Sequence, residues 1–491
     1  VLAAHRSGRP WVVGSGTAVS REDGVVALGG AGTGGHADVA ARPGPGVPAV
    51  PTAGAAGFAW VRCGGHHLGA SLDGGVRVRG TASGVRRVFH ARVDGVDLAC
   101  DRADVLAVAA RAPVDEAVLA ALLLGDRLPH PLTDLTPWRG VTAVPAGCAL
   151  ELPAGGGART TRWWTPPEPV LGIEDGAAGL RRALEEAVRS RGDAVTVGPG
   201  GGLGSRALAV LAERLGVLVG AAAPGAGWTG PPAADLPAPL PRVLPGSPRA
   251  LTGTGADEVV GAPVEYLHDL ARLNPRAAWQ HLAAHRARHR WPLGDVLRGF
   301  ADRRDYRTWL LDQARALHDD AVPPLGWGAP PRLPPWVSVE AAVGVAALLR
   351  AHADVEPLAP CRGRHSHLRR VGAVAATCRA AGGGGAPFLD DPVLEACLAV
   401  RAEQRGAPGR APLLVAAVPE VAFAPEEASA DHTDDHDHDD DLLDASPLTA
   451  LGIVDADVVR AQLAAPDPRW ATALEHTLAV ARWRPGGALG G

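Results

Sequence analysis

The apolar positions of this chain change rhythm about a third of the way along. Up to about residue 155 they come in short runs bounded by glycine and proline, and from about 175 they recur mostly at helical spacing. Val76–Arg79 and Val85–Val93 read as strands on either side of a Gly-Thr-Ala-Ser-Gly turn, and Asp94-Gly95 before Val96–Cys100 is a two-residue hairpin signal. Further strands are predicted within 139–147 and over 149–152. Helices are predicted over 177–189, 264–272, 276–288, 339–352, 367–381 and 393–400. The stretch 224–247 is rich in Pro, Gly and Ala and carries no predicted element.

Between a buried-strand pattern at Ala194–Val197 and a helical one through Leu208, Leu211, Ala212 and Leu215 lies Gly198-Pro-Gly-Gly-Gly-Leu-Gly-Ser205. Strand, glycine loop and helix together aim backbone N–H groups at a phosphate. A Walker loop is excluded, because it ends in Gly-Lys-Ser/Thr and the chain has no lysine. A dinucleotide loop needs an acid after the next strand, and Val217–Val219 runs into 220–224 without one. The pattern Ser-Gly-Gly-x-Asp-Ser, used where ATP is split into AMP and pyrophosphate, fits 200–205 with glycine replacing the first serine and the aspartate. A plain glycine turn is the alternative.

Two further segments follow in order, Leu251-Thr-Gly-Thr-Gly-Ala-Asp-Glu258 and Ala386-Pro-Phe-Leu-Asp-Asp391, and Arg162-Trp-Trp164 precedes the loop. With the loop, they resemble the signatures of the asparagine synthetase family. Arg79–Gly84, Arg87–Ala91 and the long carboxyl half resemble its lasso peptide cyclases, which are macrolactam synthetases. The resemblance implies an α/β chain in three parts: a β-rich glutaminase-like (Ntn-type) sandwich over 1–158, a linker over 159–172, and an ATP pyrophosphatase-like (PP-loop) synthetase domain with many helices over 173–491.

The same resemblance implies ATP and Mg²⁺ as cofactors. Gly200, Gly201, Gly202, Leu203, Ser205, Gly253 and Gly255 would surround the phosphates. Asp257 would hold the metal, while the family's other metal-binding aspartate falls on Gly204. Asp257, Glu258 and Arg410 are the implied catalytic residues, with Ala411 at a family lysine and a second lysine position within 424–428. Without the resemblance, Asp257-Glu258 is an acid pair at a helix start, and Asp390-Asp391 is a cap for a helix beginning near Pro392. The interval between the first two signatures is short and suggests a deletion. The implied reaction adenylates a carboxylate and joins it to an amine, closing a macrolactam in a lasso precursor core peptide. A leader peptidase and a leader-binding protein are its implied partners. Asparagine synthase-type amidation from glutamine is one alternative; with Val at position 1 and Cys63 the first cysteine, no glutaminase nucleophile is expected. A non-catalytic homologue serving as a binding or scaffold protein is the other.

Composition narrows this only in places. A net charge of −5 does not suggest a nucleic-acid partner, and the cluster His285–Arg290 reads as a solvated helix face. The 6 cysteines are widely spaced without a C-x-x-C, as expected of buried thiols in the cytoplasm. No segment is apolar over the length of a membrane span. His432, His436 and His438 within Asp431–Asp441 could bind Zn²⁺ or Ni²⁺ adventitiously, although such a run reads first as a flexible acidic loop.

Overall fold

The structure, a computed structural model, describes the backbone of strands between residues 3 and 71. Beyond these it describes 75–197 without 154 and 193, 202–221, 249–318, 325–380, 385–406, 411–423, and 439–482 without 445. The protein is mixed α/β and helix-rich. It forms two compact units. One takes the described residues up to Pro113 together with Trp138–Thr165; the other takes Val114–Pro137 and the described residues from Pro166 on.

The first unit is built on strands β1 (Ala3–Ala4), β2 (Pro10–Val12), β3 (Thr17–Glu22), β4 (Val25–Gly30), β5 (Phe58–Cys63) and β6 (His66–Ser71), then β7 (Val76–Arg79), β8 (Phe89–Val93), β9 (Val96–Cys100), β10 (Val141–Ala143), β11 (Cys148–Leu152) and β12 (Arg159–Arg162). They make a sheet ordered β1-β2-β9-β8-β10, a sheet ordered β12-β11-β7-β6-β5, and a β3–β4 hairpin. Val76, Leu150 and Leu152 from one sheet meet Ala99 of the other in a single core, with Val88 and Val144 beside them. Asp94 and Gly95 both have positive φ (49° and 80°), the conformation that lets a two-residue turn follow the strand twist. The expected strand from Val85 begins only at Phe89. The preceding residues close a tight turn, in which Thr81 N–H donates to Arg86 O (3.0 Å) and a Cβ on Gly80 would lie 1.8 Å from that oxygen. β12 lies in the segment expected to be linker; it pairs with β11 from Cys148↔Arg162 to Glu151↔Arg159. After it, the backbone N–H groups of Trp163 and Trp164 both donate to Gly147 O. α1 (Ala103–Ala110) packs on β8.

The second unit begins with α2 (Glu116–Leu122), whose N-cap Asp115 accepts from Val118 N–H. α3 (Ile173–Arg189) presents the fully buried Leu180, Leu184 and Val188, as its helical spacing predicts. Then come β13 (Ala194–Val197), α4 (Leu203–Arg214), β14 (Leu218–Ala221) and β15 (Arg249–Leu251). The three strands form one parallel sheet ordered β14-β13-β15. α5 (Ala256–Val260) follows β15, and α6 (Tyr266–Leu273) and α7 (Pro275–His289) follow it. Asn274 caps α7 by accepting from Ala277 N–H, with Pro275 in the first turn. α8 (Leu293–Ala301) and α9 (Tyr306–Gln313) had no counterpart among the expected helices. α10 (Val339–Ala351), α11 (Arg362–Ala380), α12 (Asp391–Leu398), α13 (Ala402–Arg405) and α14 (Pro412–Ala417) continue the unit. Among the described residues, no helix is long and apolar enough to cross a membrane.

Candidate functional site

Because β13 and β15 are parallel neighbours, their carboxyl ends lie at the same edge of the sheet. This end of an open parallel sheet is where such folds bind ligands. Gly200, Gly201 and Arg410 lie outside the described residues, as do the interval 224–247, the lysine position within 424–428 and His432, His436 and His438. The description resumes at Gly202, an exposed residue in the N-cap position of α4, and at Leu203, the first residue of that helix.

The start of α4 is pressed against the turn that follows β15. A Cβ on Gly204 would lie 2.5 Å from the Ala256 Cβ and 2.9 Å from Gly253 O. A Cβ on Gly253 would in turn lie 2.4 Å from Ser205 N. Ser205 is buried, and its hydroxyl oxygen accepts from Gly253 N–H at 3.2 Å. Gly255 takes φ +87° beneath Leu389 and opens α5. The backbone and hydroxyl of Thr252 donate to Gly385 O at 2.6 and 3.1 Å, which ties the turn to the segment before Phe388. Ser205, Gly253 and Gly255 are thus brought together, and Ser205 with Gly253 joins the start of α4 to the turn after β15.

Asp257 is exposed and Glu258 half-buried in the first turn of α5. The position that the resemblance gives to a second metal-binding aspartate is Gly204, where a side chain has no room. Among the described residues, no group of three or more His, Cys, Asp or Glu is arranged to hold a metal ion. Asp257 alone does not make the two-carboxylate magnesium site that the resemblance implies, so no step below is routed through a metal.

The other end of α5 is held by a residue the sequence reading missed. Arg405 is 4% exposed and has no carboxylate partner among the described residues. Its Nη1 donates to Gly261 O at 2.6 Å and Val259 O at 3.4 Å, its Nε to Val400 O at 3.1 Å, and its Nη2 to His367 Nδ1 at 3.2 Å. A guanidinium at the last carbonyls of a helix is favourably placed. Burial nevertheless pushes Arg405 down to about 10 and holds His367, which accepts from it, well below the usual histidine range.

Asp390 immediately precedes α12, as expected, yet makes no side-chain cap. Its carboxylate instead takes a bidentate pair from Arg191, at 2.8 and 3.0 Å, which joins the end of the α3 segment to the start of α12. Arg79 and Arg87, from the cyclase-like segments, have structural surroundings. Arg79 lies over the Trp163 ring at 4.0 Å, and the buried Arg87 donates to Val144 O at 3.3 Å. Burial pushes the thiols of Cys100 and Cys397 up to about 12 and that of Cys378 to about 11, far from nucleophilic at neutral pH.

The cluster His285–Arg290 is not wholly a solvated face, because His285 is 4% exposed. Tyr266 Oη lies 2.9 Å from His281 Nδ1 and 3.3 Å from His285 Nε2. Burial, aided by the charge of His289, pushes His285 from 6.5 down to about 4. Above pH 6.5 the ring is neutral whether the chain is folded or not. Between 6.5 and about 4 the unfolded chain binds a proton that the folded one refuses. Unfolding free energy is therefore expected to fall as pH drops through that window. His285→Gln, followed by urea unfolding from pH 7 to 4, should flatten the fall; an unchanged slope would assign it elsewhere.

No known family profile matches the chain, and no curated protein matches it.

Proposed function

We propose that the second unit is an ATP-dependent amide ligase that works through an acyl-adenylate. What supports the reading is one juxtaposition: the start of α4, which follows β13, touches the glycine turn that leaves the adjacent parallel strand β15, and that turn opens onto Asp257 and Glu258. A substrate carboxylate oxygen attacks the α-phosphorus of ATP, the bond to pyrophosphate breaks, and an amine then displaces AMP with loss of a proton. The N–H groups at the start of α4 would face the phosphates, and Arg410 would supply positive charge near the leaving group. The protein's main contribution would be to hold carboxylate and amine together. From the signatures quoted above, the substrate is a lasso precursor core peptide closed by an isopeptide bond, released for the enzyme by a leader peptidase and a leader-binding protein, in the cytoplasm.

Purified protein with Mg-ATP and a leader-free core peptide should give AMP together with a peptide lighter by one water, read by mass spectrometry. AMP without dehydration would keep adenylation and discard that peptide. Neither product, from folded protein and a cognate peptide, would replace the ligase by a second reading: a homologue that binds without catalysis. The exclusion of any side chain at Gly204 is the observation that favours this second reading.

A further inference from the structure

A cavity of about 510 Å³ lies away from the glycine turns, lined by His268, Ala271 and Arg272 of α6 and by Phe300 and Arg303 at the end of α8. Its size falls within the range of small-molecule sites, roughly 300–1,000 Å³. The acids nearest to it are already committed. Asp302 takes Arg304 at 3.0 Å and Arg362 at 3.4 Å, while the two Asp269 oxygens accept from the N–H groups of Arg362 and Gly363. Burial alone would raise the Asp302 carboxyl, but hydrogen bonds from Arg304 and the charge of Arg362 outweigh it and hold the group at about 2.

Arg272 and Arg303, in contrast, have no hydrogen bond or ion pair among the described residues. Arg272 lies in the last turn of α6, where a cation is favoured, and Arg303 just past the end of α8, yet neither donates to a carbonyl. The third feature is His268, only 3% exposed. Its Nε2 donates to Asp302 O at 3.1 Å. Its Nδ1 is buried, 3.8 Å from Asp269 Oδ1.

Two unpaired guanidiniums suit a carboxylate, and Phe300 and Ala271 suit an apolar side chain beside it. We propose that this cavity binds the carboxyl-terminal residue of a peptide, one with an apolar side chain. The inference stands apart from the ligase reading, because binding is measured without ATP.

Isothermal titration of the full-length protein with Ala-Ala-Ala-Phe, its carboxyl-terminal amide, N-acetylphenylalanine and inorganic phosphate tests it. The free-acid tetrapeptide should bind at least as tightly as N-acetylphenylalanine and about tenfold or more tighter than its own amide, since the amide loses the charge. Arg272→Gln with Arg303→Gln, both at exposed positions, should abolish that preference while leaving thermal unfolding unchanged. Equal binding of acid and amide would overturn the proposal on the wild-type protein alone. So would phosphate binding as tightly as the peptide, binding of N-acetylphenylalanine without the tetrapeptide, or full binding by the folded double variant.

Discussion

Gly204→Asp, the substitution that would restore the implied metal ligand, is expected to destabilise the second unit and to leave any ATP turnover no higher than before. Its Cβ would have to share space with the Ala256 Cβ at 2.5 Å and Gly253 O at 2.9 Å, and both obstacles are fixed, one by a helix and the other by backbone. Overpacking of this kind costs about 1–3 kcal/mol. A carboxylate brought up to a carbonyl oxygen adds repulsion between two acceptors. Gly204→Ala separates the two terms: it should carry the steric cost without the charge, and so unfold at a urea midpoint between wild type and Gly204→Asp. A Gly204→Asp protein that is as stable as wild type and turns over ATP faster would show that the turns part readily and that the loop lacks only its acid.

The second large effect is expected at Arg405. Arg405→Ala removes donors from Val259 O, Gly261 O, Val400 O and His367 Nδ1 at once. Each acceptor left without a donor costs about 1–3 kcal/mol. Relief of the desolvated guanidinium acts in the opposite direction, as does water entering the space. A net loss well above the roughly 1 kcal/mol of an average substitution is expected. Arg405→Lys should recover only part of it, since an ammonium cannot span acceptors on three segments as the guanidinium fork does. Hydrogen exchange should place the damage: amides of 256–261 should exchange faster in both variants than in wild type. Unfolding midpoints within error of wild type would mean that the carbonyls find other partners and that α5 is held from elsewhere.

Local chemistry was what the sequence made readable. β13, α4 and β14 appear where the apolar run, the glycines and the helical spacing put them, and Asp94-Gly95 makes the hairpin that its dipeptide announces. In each case the evidence lies within a few residues of the element. What escaped depends on residues far apart in the chain. β12 is polar, with Arg159, Thr160, Thr161 and Arg162 alternating too weakly to read as a strand, and it exists because β11 offers an edge. α8 is a short helix set among Pro292, Gly294 and Gly299, where breakers obscured the period, and the 8 residues of α9 are too few to display one. Arg405 ends the four-residue α13, and nothing near it in sequence says that its hydrogen bonds go to Val259 and Gly261. Asp390 was placed correctly but its partner, Arg191, was invisible at that separation. At the candidate site the sequence named the glycines and acids, but only packing shows that Gly204 and Gly253 are small because the start of α4 and the turn after β15 meet there.

The division of the chain into units also limits how the protein can be dissected. Val114–Pro137 belongs with the later unit although it is flanked on both sides by residues of the earlier one, so no single cleavage separates the two. A fragment ending at 158 would keep α2 without its neighbour α10 and would lose β12, leaving the N–H and C=O groups along one edge of β11 unpaired. Such an edge is a template for pairing with other chains. Fragments cut at the boundary that composition suggests are therefore expected to precipitate on expression, and work on either unit is better begun from the intact chain.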